Sequence, residues 1–347
     1  MTTDKNVFII PFILMTTLAC AYVQNMVFPA VPTPALPTPT ATSLPPTSSP
    51  TVAPTATPVF EAACPDLLAE VLKAATKNFV RTRGNEKPIH FLVLYTIKNN
   101  KLAQRQDLFV PEQLRSEWDA RAEHESIWNY FKALIPEKDR TMVSEFSIMS
   151  DGHENILAAV GPTEDDLSKW GLKVDILDSG DPYLLTFTLL HEFGHLQTLN
   201  ANQVRLDPFL FHNPDNQDAL DRAVDACSQY FTGLGCSQPT SYLNEFFNRY
   251  WTDLYSEWQD IDQEEDKGER VARLADFYKN YQDQFLTDYA ATSPAEDIAE
   301  SWAFFVLSPR PELNSIADEK ILFFYEYPEL VTLRQEILER VCAEFPQ

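Results

Sequence analysis

Residues 182–199 have the sequence PYLLTFTLLHEFGHLQTL, and this stretch decides how the rest of the chain is interpreted. The residues before it, Asp178-Ser179-Gly180-Asp181, supply a helix N-cap, and Pro182 suits the first helical position. A helix is therefore predicted from Pro182 to about Leu199. Large apolar side chains surround most of its girth, which predicts a buried helix: Leu184, Leu185, Phe187, Leu189, Leu190 and Phe193.

The same helix contains the motif His191-Glu192-Phe193-Gly194-His195. Residues four apart share one face of a helix, so His191 and His195 can bind one Zn²⁺ ion, with Glu192 beside them as general base. Two surface histidines are the alternative, but histidines in a buried helix need a partner. Gly194 either allows a neighbouring element to approach closely or is simply tolerated.

A catalytic zinc site needs a third protein ligand and an open position. The extended metzincin pattern is excluded, because Thr198 and Ala201 stand where it requires Gly and His. The next glutamate after Glu192 is Glu245, which is distant for a thermolysin-like arrangement. Three nearby aspartates could serve as the third ligand instead, but they have the spacing of a solvated helix face: Asp218, Asp221 and Asp225.

A later segment, residues 289–305, has the sequence YAATSPAEDIAESWAFF. With the upstream HEFGH, its order of Tyr, six residues, Glu, three residues and Glu resembles the catalytic domain of the anthrax toxin lethal factor-like, gluzincin-type zinc metallopeptidases. That resemblance implies that Glu296 is the third zinc ligand, that Tyr289 donates its phenol to the developing oxyanion, and that Glu300 orients a metal-bound histidine. A capping box formed by Ser293 and Glu296 is the alternative explanation of Glu296.

The resemblance is confined to these motifs and to the order of sheet, zinc helix and glutamate helix. The motifs are 296 − 195 = 101 residues apart, more than we expect for the toxin domain. Residues 201–288 are therefore predicted to form a helical insertion or subdomain. The substrates of the toxin are not transferred to this chain.

The patterns around the zinc helix predict an α+β, zincin-like fold, in which a small, mostly antiparallel sheet precedes the active-site helix and a mainly helical C-terminal part. Strands are predicted at residues 89–97, 146–149, 156–160 and 172–177, with a turn at Asn99-Asn100 and a hairpin turn at Asp151-Gly152. Further helices are predicted at residues 65–79 and 114–134, and loops at 207–215 and 232–240.

The first 60 residues differ in composition from the rest. An apolar run at residues 7–19 follows Lys5 and ends at Leu18-Ala19-Cys20, which resembles a bacterial lipoprotein signal. Residues 1–20 are thus predicted to be a signal peptide whose Cys20 is lipidated; an ordinary secretion signal or an uncleaved anchor is the alternative. Residues 21–60 are predicted to be a disordered Pro/Thr-rich stalk, so an exported domain spans residues 61–347.

Four cysteines remain in that domain, an even number that suits an oxidising compartment. They allow three pairings. We favour Cys227 with Cys236, which closes a short loop, and Cys64 with Cys342, which ties the two ends of the domain together.

The net charge of the chain limits the classes of partner that it can bind. Lys and Arg number 27 against 51 Asp and Glu, a net charge of 27 − 51 = −24 that lies wholly in residues 61–347, because Asp4 and Lys5 cancel. Nucleic acid and anionic membranes are disfavoured as partners, which leaves the lipid anchor as the only membrane contact.

The expected function is a monomeric zinc peptidase that acts on peptides or proteins outside the cytoplasm. One alternative is a catalytically silent surface lipoprotein, used in adhesion or envelope binding, with a vestigial metal site. A zinc hydrolase of another amide, such as a cell-wall cross-link, is also open.

Overall fold

The computed structural model describes residues 64–78, 88–153 and 156–345. The predicted signal peptide and stalk lie outside the described residues, so both stay predictions. The described chain has an α+β fold in which most helices follow the sheet. None of the helices in this part of the chain has both the length and the apolar character that a bilayer crossing requires.

Seven strands and twelve α-helices occur in the described ranges. The strands are β1 (His90–Lys98), β2 (Lys101–Asp107), β3 (Val143–Ser150), β4 (Ala158–Pro162), β5 (Trp170–Asp175), β6 (Val204–Leu206) and β7 (Gly235–Ser237). The helices are α1 (Pro65–Asn78), α2 (Arg115–Asp119), α3 (Arg121–Leu134), α4 (Pro182–Leu199), α5 (Pro208–His212), α6 (Gln217–Ala226), α7 (Tyr242–Tyr250), α8 (Tyr255–Asp262), α9 (Lys267–Asn280), α10 (Pro294–Leu307), α11 (Ile316–Phe323) and α12 (Pro328–Glu344).

The main sheet is mixed, with the strand order β2-β1-β3-β5-β4. Three of its four pairings are antiparallel and the β3–β5 pairing is parallel. A second, two-stranded sheet joins β6 to β7 within residues 201–288. That segment otherwise contains helices α5 to α9, and its status as an insertion stays a prediction.

The predicted hairpin between β3 and β4 at Asp151-Gly152 is wrong, because β5 lies between the two strands. The local turn does form, with Gly152 at a φ of 87°. However, the carboxylate of Asp151 accepts the N–H of Ile156, and the N–H of Asp151 donates to the carboxylate of Asp175. These bonds hold the connection between β3 and β4, which lie on opposite sides of β5 in the sheet.

Other boundaries also differ from the sequence prediction. The helix predicted at residues 114–134 is interrupted at Ala120, whose ψ of 56° is not helical, so that α2 and α3 are separate. Strand β2 was not predicted, and β5 lies two residues earlier than expected. The predicted loop at 207–215 contains α5, and that at 232–240 contains β7. The turn at Asn99-Asn100 is confirmed, with positive φ at both residues.

Helices α4 and α10 pack together in the core, and α1 packs against both. Gly194 allows this approach: a Cβ at its position would lie 2.9 Å from Trp302 Cδ1 and 3.1 Å from Ala299 Cα. The interpretation that Gly194 allows a neighbouring element to approach closely is thereby confirmed.

Both favoured disulfides are present. Cys64, just before α1, is bonded to Cys342 on α12, and Cys227 is bonded to Cys236 on β7. The first bond holds α1 in place against the two core helices.

Candidate metal centre

The structure brings together all six side chains that the sequence singles out, at the place where α4 packs against α10. His191, Glu192 and His195 lie on α4, Glu296 and Glu300 lie on α10, and Tyr289 comes just before the 3₁₀ turn Ala290–Thr292. Helix α4 begins as expected, because the Asp181 carboxylate accepts the N–H groups of Tyr183 and Leu184 and Pro182 occupies the first turn.

Three ligand-type atoms form a small triangle. His191 Nε2 lies 3.1 Å from His195 Nε2, and Glu296 Oε2 lies 3.1 Å from the first nitrogen and 3.2 Å from the second. Tetrahedral zinc with bonds of about 2.0–2.1 Å spaces its ligand atoms about 3.3 Å apart. The triangle therefore has the dimensions that three zinc ligands need, and all three side chains are buried.

Glu296 does more than begin a helix. Ser293 caps α10, since its Oγ accepts the N–H of Glu296 at 3.1 Å, but the Glu296 carboxylate turns to the imidazoles. The alternative ligand Glu245 lies elsewhere, where it accepts the Tyr327 hydroxyl at 2.6 Å.

His191 is held by a chain of hydrogen bonds behind the triangle. Its Nδ1 lies 2.8 Å from Glu300 Oε1, and Glu300 Oε2 accepts the Thr287 hydroxyl at 2.8 Å. Since a carboxylate accepts hydrogen bonds, this contact favours the proton of a neutral imidazole on Nδ1, which would leave the electron pair of Nε2 available to a metal ion. The Thr287 oxygen in turn accepts the N–H of Ala290 at 3.1 Å.

The side chains of the triangle shift one another's pKa values. Burial alone would lower the pKa of His191, but the hydrogen bonds to Glu296 and Glu300 outweigh it and raise that pKa well above its usual value. Burial would raise the pKa of Glu296, yet the imidazoles of His195 and His191 hold it below its usual value. Both shifts reflect a site whose carboxylates favour positive charge.

Glu192 lies beside the triangle and is only 4% exposed. Its Oε2 has no hydrogen-bond partner among the described residues. Burial raises the pKa of Glu192, while the imidazoles of His195 and His191 and the N–H of Val160 on β4 counteract the rise. A buried carboxylate with an unpartnered oxygen is suited to accept a proton from a small ligand.

Tyr289 lies against the triangle through its ring. The ring centroid is 5.7 Å from that of His191, and the two planes are tilted by 51°. Its side chain is partly exposed, unlike those of the three triangle residues. Tyr289 is therefore the most exposed of the six side chains.

Two residues of the site were not found from the sequence. Thr287 is one of many threonines, and only its position two residues before Tyr289 could have drawn attention to it. Lys173 on β5 is 7% exposed, and burial lowers its pKa to about 8, against the opposing effects of Glu192 and Glu145. A lysine inside an apolar strand is the signal that could have found it.

The balance of buried charges fits a divalent cation. Helix α10 and Glu192 contribute four buried carboxylates: Glu192, Glu296, Asp297 and Glu300. Lys173 interacts with Glu192, and Lys320 lies 2.6 Å from Asp297. The other two carboxylates, those of Glu296 and Glu300, both contact His191, and their negative charge favours a cation at this place. With its nitrogen and oxygen donors, this set suits Zn²⁺.

Comparisons with protein-family models, with curated proteins and with solved structures find no significant match to this chain. The function is therefore argued from the site itself.

Proposed function

We propose that the protein is a zinc-dependent peptidase that hydrolyses peptide bonds outside the cytoplasm. The convergence of His191 Nε2, His195 Nε2 and Glu296 Oε2 within 3.2 Å of one another, beside the buried Glu192, carries this proposal. The two disulfides support an oxidising location. The resemblance to gluzincin-type enzymes in both motifs supports the reaction class.

The three triangle residues would hold the metal, leaving a position for water. A zinc ion held there would lower the pKa of water and polarise a carbonyl. Glu300 holds the proton of His191 on Nδ1, so that the imidazole presents an unprotonated Nε2. Thr287 fixes the second oxygen of Glu300 and thus the orientation of the pair.

Glu192 moves the proton in this scheme. Its unpartnered Oε2 accepts a proton from the attacking water, and the same oxygen then delivers that proton to the nitrogen of the leaving amine. Tyr289, with its ring against His191, is the candidate donor to the oxyanion that develops on the scissile carbonyl. Peptide hydrolysis consumes one water molecule and yields one carboxylic acid and one amine.

The decisive experiment measures zinc content and cleavage of a mixed peptide library by the purified protein and by Glu192→Gln. We expect about one zinc per chain in both, and cleavage only by the wild type, because glutamine cannot accept the proton. Glu245→Gln is the matched control, since Glu245 contacts Tyr327 outside the site, and it should retain both zinc and activity.

Each other outcome assigns the protein differently. A chain that binds zinc but cleaves no peptide is either a silent surface protein or a hydrolase of another amide. Cleavage of cell-wall peptides with isopeptide cross-links would favour the hydrolase. A chain without zinc contradicts the metal centre.

A further inference from the structure

A fully buried ion pair lies next to the metal centre and has no part in the proposed chemistry. Lys320 Nζ on α11 is 2.6 Å from Asp297 Oδ2 on α10, and neither side chain is exposed to solvent. Trp251 Nε1 donates to the same carboxylate oxygen at 2.8 Å. Apolar residues of similar volume often stabilise a fold as well as a buried ion pair does, so stability alone does not account for this one.

Asp297 follows the triangle residue Glu296 directly. Successive residues of an α-helix point about 100° apart, so the two carboxylates leave α10 in different directions. Glu296 points to the imidazoles of α4, and Asp297 points to Lys320 and Trp251. A fixed Asp297 therefore fixes the rotation of the first turn of α10, and with it the direction of Glu296.

Lys320 also contacts a second part of the site. Its ammonium donates to the carbonyl oxygen of Gln284 at 2.6 Å and lies 4.2 Å from the ring centroid of Phe285. Gln284 comes three residues before Thr287 and five before Tyr289. One ammonium group thus joins the first turn of α10 to the segment that carries both of those residues.

We propose that Lys320 and Asp297 are a positioning pair, which sets Glu296 and the segment carrying Thr287 and Tyr289 against the histidines of α4. The pair acts through the backbone that it holds, because Asp297 lies on the first turn of α10 and Lys320 donates to the carbonyl oxygen of Gln284. This inference rests on the proposed zinc centre.

The test is the zinc affinity of the full chain carrying Lys320→Met together with Asp297→Asn. The double change leaves no unpaired buried charge, so we expect a melting temperature close to that of the wild type. Changes behind metal ligands typically weaken metal binding about 10–100-fold, so the zinc Kd, measured by competition with a chromophoric chelator, should rise at least about tenfold. The visible spectrum of the Co²⁺ form should change as well.

Arg334→Met is the matched control. Arg334 is also a buried cation bound to α10, but its guanidinium donates to the carbonyl oxygens of Phe305 and Ser308 at the other end of the helix. We expect this variant to melt at a lower temperature and to keep the zinc Kd of the wild type.

Trp251→Phe is a milder variant that keeps the aromatic packing and removes only the N–H donor to Asp297. If the double variant fails to fold, this one still decides the matter, and it should weaken zinc binding several-fold. A wild-type Kd and Co²⁺ spectrum in whichever of these variants folds would overturn the inference.

Two further outcomes separate this inference from the proposed function. An equal loss of zinc affinity in Arg334→Met would reduce the pair to a general support of α10 and overturn its positioning role. A wild type without zinc removes the metal centre and this inference with it, whereas zinc binding without peptide cleavage contradicts only the peptidase.

Discussion

The candidate metal centre and a cluster of aspartates at the ends of β3 and β5 both bring ligand-type atoms of three buried residues within 4.8 Å of one another. They differ in what their polar atoms contact. In the aspartate cluster, Asp175 accepts the N–H groups of Asp151 and Leu177, and Asp151 accepts that of Ile156. In the metal centre, two nitrogens and one oxygen face each other instead.

Proximity of acidic side chains alone therefore does not identify a cation site. Backbone N–H groups bind both oxygens of Asp175 and one oxygen of Asp151, and Asp178 lies 3.1 Å from the His153 imidazole, so these carboxylates hold the loops before β4 and before α4 in place. The atoms of the metal centre are complementary to a cation rather than to the backbone.

Removal of a metal ligand should have the largest effect. His195→Ala takes one corner from the triangle, so zinc content should fall from about one per chain to near zero, a greater loss than the roughly 10–100-fold of an outer-shell change. Asp151→Asn, in the other cluster, should keep its zinc. Metal analysis after dialysis checks both variants, and loss of zinc from Asp151→Asn alone would reverse the two roles.

The aspartate cluster should make the stability of the fold depend on pH. Burial, with a further contribution from Asp178, raises the pKa of Asp175 from 3.8 to about 7, despite the opposing N–H groups of Asp151 and Leu177. The folded state thus binds an extra proton between these values. The contribution of this proton to the free energy of unfolding is full below about pH 4. It is lost as the pH rises through 7, which lowers that free energy by up to about 4 kcal/mol.

Urea unfolding of the wild type and Asp175→Asn at about pH 4 and about pH 8 measures that contribution. The variant cannot titrate at this position, so it should lose less stability over the interval than the wild type. Equal losses in the two proteins would show that Asp175 has no raised pKa.

Close packing of α4 on α10 should be sensitive to one methyl group. In Gly194→Ala the new Cβ would meet Trp302 Cδ1 and the backbone of Ala299, and overpacking costs about 1–3 kcal/mol, which exceeds the helix propensity gained. We expect a lower free energy of unfolding and weaker zinc binding.

Gly180→Ala is the control for this change, because nothing lies within 4 Å of its added Cβ. Its free energy of unfolding should stay within about 0.5 kcal/mol of the wild-type value. A Gly194→Ala variant as stable as this control would show that the two helices have room to separate.

The smallest effect is expected behind His191. Thr287→Val keeps the shape of the side chain but removes the hydroxyl that donates to Glu300 at 2.8 Å. The zinc Kd should rise by no more than about tenfold, the lower end for outer-shell changes. Chelator competition measures it, and a loss as large as that of His195→Ala would make Thr287 part of the primary site.

Local patterns predicted the parts of the molecule whose causes are local, and Asp181 and Pro182 begin α4 as expected. The contacts of Tyr289 and Glu300 with His191 are not local, and it was the resemblance of their segment to a known family that pointed to them. The hairpin at Asp151-Gly152 failed because a turn signal does not specify the partner of the next strand, and β5 comes from further along the chain.

The residues that were missed depend on distant partners. Strand β2 is an exposed edge strand whose charged residues resemble a loop, and it is defined by its pairing with β1. Lys173 acts with Glu192 and Lys320 with Asp297, across separations that no short pattern spans. Such pairs become visible only after the core has been assembled.

The most direct test of the central claim is an anomalous difference map, recorded at the zinc absorption edge, from crystals of the zinc-loaded protein. We expect one peak about 2.0–2.1 Å from His191 Nε2, His195 Nε2 and Glu296 Oε2, and none among Asp151, Asp175 and Asp178. A peak in the aspartate cluster, or none within the triangle, would contradict it.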